Sequence, residues 1–315
     1  MMKLEAYFVR DWLDLLADIL QSHWGYDISG VSPDELSYLY FNAEQRRPDQ
    51  RPRKVEVADS FSCPPELQAG WDRLRSLVES GLDITAHLSK LISLLQNKDS
   101  MLNDFGVHHF HLGDAMNGPF VERTGPLLFA LVTKQVFYAI GIFRHGSWAD
   151  SSVVETIHRN WPEVIARFQI KNCESTNKTT ETQRLALRAK NYNSLSTVSD
   201  GTVYMPIGGG AVAAGYNALS IVKTDRQIEL LKNLEKHLEE RLPQLREELI
   251  KHGYNDSETV VEARLEITPD RYLAIFPKYN VSVTLMTEGW RESPIRVPGG
   301  HQITNRATYR TGLSF

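Results

Sequence analysis

The side chains best suited to chemistry lie between residues 104 and 163, in the stretches DFGVHHFHLG, LLFALVTKQVFYAIGIFRHGSW and SSVVETIHRNWPE. Five of the ten histidines, His108, His109, His111, His145 and His158, fall there. Imidazole titrates near neutral pH, so it takes and gives protons readily, and it is a common metal ligand. If residues 107–112 form a strand, His109 and His111 share one face, while His108, Phe110 and Leu112 share the other. His145 follows an apolar run that reads as a later strand, with Arg144 beside it, so strand pairing lets His109, His111 and His145 converge. Three tasks suit such a set. The imidazoles act as general acid and base, or they bind a divalent metal through His-x-His and a third His, or they only hydrogen-bond within the sheet. Asp114 is the one carboxylate at nearby spacing, so no metal and no cofactor are expected.

Cations surround the same segment. Arg123 precedes the second apolar run, Lys134 ends it and Arg144 ends the third. A reaction at phosphate needs positive charge where the transition state gains negative charge. Cations at strand ends also serve simply as solvated guards of sheet edges. Upstream, Arg46, Arg47, Arg51, Arg53 and Lys54 form a basic stretch broken by Pro48 and Pro52. It reads as a loop, either solvated or gripping phosphate through forked guanidiniums. A third feature is MPIGGGAVAAG at 205–215, with Gly208, Gly209 and Gly210 between a strand and a helix. That order resembles an anion cradle, in which free N–H groups at a helix start face phosphate. Its spacing matches neither GxGxxG nor GxxxxGK[ST], so a close-packed turn of small residues is the competing assignment.

The elements that must position these residues follow from periodicity. Residues 5–24 carry apolar positions at helical spacing. Ser32-Pro33-Asp34-Glu35 is a helix start with a capping box, leading into a helix over 33–42. Residues 65–96 repeat apolar positions at helical spacing, with Gly81 as a joint between two helices. Strands are expected at Val107–Leu112, Leu127–Thr133 and Val136–Phe143, the last two joined at Lys134-Gln135. A helix capped near Asp150 runs to Asn160. Residues 171–200 are polar and read as a linker carrying a short helix at 182–190. Thr202–Ile207 is a strand. A helix from about Tyr216 to His252 is kinked or split at Pro243, and three antiparallel strands follow at Val260–Ile267, Tyr272–Phe276 and Val281–Met286.

The pattern is α+β: a helical N-terminal region (1–100), a small central antiparallel sheet with the histidines (101–170), a linker (171–200), a C-terminal α/β module (201–290) and a tail (291–315). The formal charge of −4 argues against a chain that binds nucleic acid over its whole surface but leaves local basic patches open. Cys63 and Cys173 lie far apart and imply neither a zinc knuckle nor a disulfide framework. The first twenty residues carry acids within their apolar stretch, unlike a signal peptide. No run approaches the ~18 apolar residues of a membrane span. A cytoplasmic location and no membrane partner are therefore expected.

The order of elements over 105–160 resembles the core of RelE/HigB-type ribonuclease toxins. The residues that carry the likeness are Val107-His108-His109-Phe110-His111-Leu112, Leu127-Leu128-Phe129-Ala130-Leu131-Val132 and Ile142-Phe143-Arg144-His145-Gly146. The likeness covers about a sixth of the chain, and this chain differs by its size, its acidic charge and its large C-terminal half. It implies RNA cleavage in bacterial defence or growth control. Within a metal-independent endoribonuclease, His109 or His111 would be the base toward the 2′-OH and His145 the acid toward the leaving 5′-oxygen. Arg123, Lys134 and Arg144 would hold the phosphorane charge, and the 46–54 stretch would grip RNA. A second function fits the same residues: a non-catalytic subunit that binds nucleic acid or a protein partner through 46–54 and the tail Arg291–Arg310. A nucleotide-binding role for Gly208–Gly210 is a third, and pairing with a second copy of the chain stays open.

Overall fold

The computed structural model describes residues 2–174, 177–268, 270–287 and 311–314. The chain is an α+β protein, and by contact it divides into two compact units. One comprises residues 1–40 and 222–315, the other residues 41–221. This partition differs from the expected one, because strands from both ends of the chain join one sheet.

In chain order, β1 (Lys3–Ala6) and α1 (Phe8–Asp18) stand where one helix over 5–24 was expected, and a π turn at Ile19–His23 extends α1. α2 (Pro33–Gln45) starts as expected, with Glu35 Oε2 accepting from Ser32 Oγ at 2.9 Å. β2 (Lys54–Val57) had no signal in the sequence. α3 (Gln68–Ser80) ends at Gly81, whose φ of +71° is a left-handed helix cap that glycine adopts without strain. The expected second helix is absent: 3-10 turns at Thr85–His87 and Lys90–Ser93 take its place. There follow α4 (Ser100–Phe105), β3 (Val107–Phe110), β4 (Met116–Asn117), β5 (Phe120–Val121), β6 (Pro126–Val132) and β7 (Val136–Arg144). Next come α5 (Ser152–Asn160), α6 (Pro162–Ile165), β8 (Gln169–Glu174), α7 (Glu181–Ala189), β9 (Ser196–Thr197) and β10 (Thr202–Tyr204). The chain continues with α8 (Ala218–Lys251), β11 (Val260–Ile267), β12 (Arg271–Phe276), β13 (Val281–Thr287) and β14 (Thr311–Ser314).

In the first unit the sheet order is β1-β11-β12-β13-β14, with parallel pairs at both edges. α8 buries Leu231, Leu234, Leu238, Leu242, Leu245 and Leu249, a spacing of three and four that keeps one helix face apolar. Pro243 lies inside α8 without ending it. Of the tail, residues 288–310, and with them Arg291–Arg310, lie outside the described residues.

The second unit is built on a mixed sheet, β2-β7-β6-β3. β7, β6 and β3 are antiparallel as expected, and β2 adds a parallel edge. β6 is covered on both faces, which is why LLFALV shows no alternation. One face packs Leu128 and Ala130 with Phe110 and Phe137 against Trp71, Leu74 and Val78 of α3. The other packs Leu127, Phe129 and Leu131 with Ile140 against Val153, Val154 and Ile157 of α5. The 171–200 segment is no bare linker: β8 joins β10 and β9 in a small sheet, and α7 buries Arg184 and Arg188.

Helix α3 closely approaches the backbone just past β3 at Gly70, where a Cβ would stand 2.0 Å from the Leu112 carbonyl oxygen. Alanine normally gains about 1 kcal/mol over glycine in a helix, but here the clash is with backbone that cannot swing away. Gly70→Ala is therefore expected to lower unfolding stability by roughly 1–3 kcal/mol. Gly125→Ala, with nothing within 4 Å of its Cβ, should change it by less than about 0.5 kcal/mol. Urea titration checks both, and a neutral Gly70→Ala would contradict the packing.

Candidate active site

His109 pairs with Phe129 across β3 and β6, so both side chains point to the α5 face. Phe129 faces Gly141 on β7. With no side chain at 141, the Phe143 ring covers that position and stacks on Phe129 at 4.5 Å between centroids. After β7 the chain turns, with the His145 amide donating to the Gly125 carbonyl at 2.9 Å. Three residues on, the Trp148 indole stacks over Phe129 at 5.9 Å and 17°. His109 contacts the indole at 4.9 Å and His145 meets it edge-on at 5.1 Å. Sharing one indole, the two imidazoles lie no more than about 10 Å apart, within reach of a single phosphodiester.

His109 is largely buried, and burial lowers its proton affinity, helped by the charges of Arg123 and His145. Asp99 opposes this: its Oδ2 stands 3.9 Å from His109 Nδ1, too far for a good hydrogen bond but close enough to act by charge. Asp99 is the N-cap of α4, accepting from the Leu102 amide at 2.9 Å, so its second oxygen is free to face the ring. Asp99, His108 and His109 also border a small cavity of about 20 Å³, with Ser89 and Asn97. Arg123 donates to the Leu88 carbonyl at 2.9 Å, and its charge bears on both His109 and His111. Arg144 is exposed at the end of β7, beside His145.

The other expected residues separate from this group. His111 lies beyond the end of β3, and its Nδ1 accepts the Thr124 amide at 3.1 Å. Burial pushes its pKa down to about 3. It is a neutral structural acceptor, which corrects its place as a candidate base. His108 is buried on the opposite face, its Nε2 bonded to the Gln45 carbonyl at 3.1 Å and its pKa pushed down to about 4 by burial. Lys134 is corrected too: it sits in the β6–β7 turn, at the far end of the hairpin from His145. Seven strand residues separate the two ends, on the order of 20 Å. Asp114 pairs with Arg73 at 3.4 Å. His158, on α5, bridges the Tyr204 hydroxyl at 2.8 Å and Asp200 at 3.1 Å. Among the described residues no group of three or more His, Cys, Asp or Glu side chains is arranged to hold a metal ion.

The basic stretch has a structural task. Arg46 is buried and donates to the carbonyls of Asn42, Leu91 and Leu95, while Arg47 donates to that of Ile92. Arg53 is buried, bonding the carbonyls of Thr133, Asp49 and Arg51 and pairing with the Asp49 carboxylate. Arg47 is partly exposed, and Arg51 and Lys54 are exposed, paired with Asp49 and Glu56 respectively. Three of the five, Arg46, Arg47 and Arg53, thus anchor backbone carbonyls. The glycines are likewise engaged. The amides of Gly208, Gly209 and Gly210 donate to the carbonyls of Asp104, Pro206 and Asn103, at 3.2, 3.0 and 2.8 Å. A cradle needs those N–H groups free. A Cβ at Gly208 would fall 1.8 Å from the Leu102 carbonyl oxygen, so the glycine serves close approach to α4.

Trp148, Asp99 and the arginines of α7 were not among the sequence candidates. Trp148 stands three residues after His145, in His-Gly-Ser-Trp, and Asp99 precedes a helix at a cap position. Nothing in the linear order sets either against His109. No family model, curated protein or solved structure matches the chain. Among the described residues no helix is long and apolar enough to cross a membrane.

Two outcomes follow. Arg53→Gln should lower unfolding stability by about 2 kcal/mol, since it orphans buried carbonyls, whereas Arg51→Gln should cost less than about 0.5 kcal/mol. Equal midpoints in urea would show that the stretch is only a solvated connector. Second, His108 and His111 stay neutral in the folded chain while their unfolded counterparts protonate below about pH 6.5. The unfolded state then binds more protons, so stability falls as pH drops from 6.5 toward 4, by roughly 1.4 kcal/mol per pH unit for each ring. His111→Asn and His108→Gln keep an acceptor and a donor without titrating. Each should flatten the curve of unfolding stability between pH 6.5 and 4, and a slope unchanged from wild type would contradict the assignment.

Proposed function

We propose that the second unit is a metal-independent nucleic-acid phosphodiesterase, an endoribonuclease. The observation that carries this reading is the placement of His109 and His145 on one indole, with Arg123 acting on the same space. His109 is kept neutral by burial, which suits a base, and Asp99 is placed to stabilise the imidazolium that forms when it takes a proton. His145 stands at the exposed rim, where a leaving group departs into solvent.

In the reaction, His109 removes the proton from a ribose 2′-OH as that oxygen bonds to phosphorus. The bond from phosphorus to the 5′-oxygen breaks, and His145 delivers a proton to that oxygen. The products are a 2′,3′-cyclic phosphate and a free 5′-hydroxyl. Arg123 and Arg144 offset the negative charge that builds on the phosphorane. Such a reaction requires RNA, since DNA lacks the internal nucleophile. A place in bacterial defence or growth control accompanies the likeness to RelE/HigB-type toxins.

Purified protein incubated with end-labelled RNA, with and without EDTA, tests the reading. Cleavage is expected in both, with a cyclic-phosphate end, and a 2′-deoxy substitution at the cleaved position should block it. His109→Ala and His145→Ala should each lower the rate by roughly 10²–10⁴-fold. Cleavage at the wild-type rate by both variants sinks the assignment. RNA bound without cleavage, with affinity falling steeply with salt, would replace the enzyme by a binding subunit.

A further inference from the structure

Behind the indole lies a buried charge cluster that the proposed reaction does not use. Asp104, at the C-terminal end of α4, accepts from Arg184 Nη1 at 2.8 Å and from Arg188 Nε at 2.9 Å, both on α7. All three side chains are buried. Both guanidiniums also lie over the Phe105 ring, at 5.0 and 4.5 Å. Arg184 is well provided for, since it also donates to Ser194 Oγ at 2.8 Å and to the Leu195 carbonyl at 3.0 Å.

One guanidinium is enough to neutralise Asp104. Burying a second one is costly unless it has further work, because a buried cation loses its hydration. The further work is visible: Arg188 Nη1 donates to the backbone carbonyl of Trp148. That carbonyl belongs to the residue whose indole seats both His109 and His145. Helix α4 therefore holds the candidate site at two points. Its N-cap, Asp99, faces His109, and its last turn, through Asp104 and Arg188, holds Trp148. Asp99 also attracts Arg188, which offsets part of the surplus charge.

We propose that Arg188, fixed by Asp104, is a positioning residue that sets the Trp148 indole between His109 and His145. As a statement about catalysis this rests on the reading in the preceding subsection; as a statement about the indole it does not. Arg188 touches neither imidazole, so its effect on a reaction passes through Trp148. A loop that sags by an ångström at Trp148 separates acid from base, and such misplacement costs about 10²-fold in rate.

The test labels the protein with 5-fluorotryptophan and assigns the Trp148 fluorine resonance by its loss in Trp148→Phe. Arg188→Gln removes the charge, and Arg188→Lys keeps it but cannot hold Asp104 and the Trp148 carbonyl together. In both, the Trp148 resonance should shift or broaden while the other tryptophans keep their positions, and RNA cleavage should fall roughly 10–100-fold. Ser194→Ala, which removes a hydrogen bond of Arg184 and leaves those of Arg188, should leave the Trp148 resonance in place. A Trp148 resonance unmoved in both Arg188 variants, or moved as far by Ser194→Ala, overturns the proposal. If Arg188→Gln does not fold, the lysine variant decides alone. If the wild-type protein cleaves no RNA, the enzymatic reading falls, and the fluorine spectra still decide the role of Arg188.

Discussion

The candidate site depends on β6 being buried on both of its faces. Leu127 through Leu131 have almost no solvent exposure, clamped between α3 on one side and α5 with α4 on the other. Interiors this dense do not let a side chain drift. Phe129, in the middle of that strand, thus offers a fixed aromatic surface, and Trp148 and Phe143 stack on it. That platform acts with the His145–Gly125 backbone bond and the Arg188 bond to the Trp148 carbonyl to hold the post-strand turn in place. His145 belongs to the turn and His109 to β3, and Trp148 on Phe129 is what brings them together.

The same burial sorts the histidines. His108 and His111 lie deep, each spending a ring nitrogen on a backbone group, and desolvation keeps both neutral. They tie β3 to its surroundings at the expense of stability in acid. His109 lies at the margin of the core, with a carboxylate and a guanidinium both acting on it. His145 is at the surface. Residue type alone does not set an imidazole's surroundings; depth and partners do. The arginines divide by the same rule. Arg46 and Arg53 serve carbonyls, and Arg188 serves the carbonyl of Trp148.

Much of the local structure was legible in the order of residues. The helix start after Ser32, the helix stop at Gly81 and the β6–β7 hairpin follow from local rules, and the structure has all three; of the capping box it has the Glu35 half, the carboxylate accepting from the Ser32 amide and hydroxyl. The missing second helix over 82–96 shows where periodicity misleads: Ile84, Leu88, Ile92 and Leu95 are buried from a chain of 3-10 turns and loops, while Leu91 at the same spacing is exposed. β1 and β2 were not legible because each is a four-residue edge whose partner, β11 or β7, lies far along the chain. Alternation over Val107–Leu112 set His111 beside His109, whereas β3 ends at Phe110 and His111 turns to the Thr124 amide. The basic stretch misled most. Prolines and charge describe a solvated loop, and only the three-dimensional carbonyls of Leu91, Leu95 and Thr133 reveal why its arginines are buried.

In the proposed reaction His145 gives a proton to a leaving oxygen while His109 takes one from the attacking hydroxyl. An RNA with sulfur in place of the bridging 5′-oxygen tests it most directly, because a thiolate departs without being protonated. On this substrate His145→Ala should run at nearly the rate of wild type, and His109→Ala should stay slow. Equal rescue of both variants, or of neither, would contradict the division of roles between the two imidazoles on Trp148.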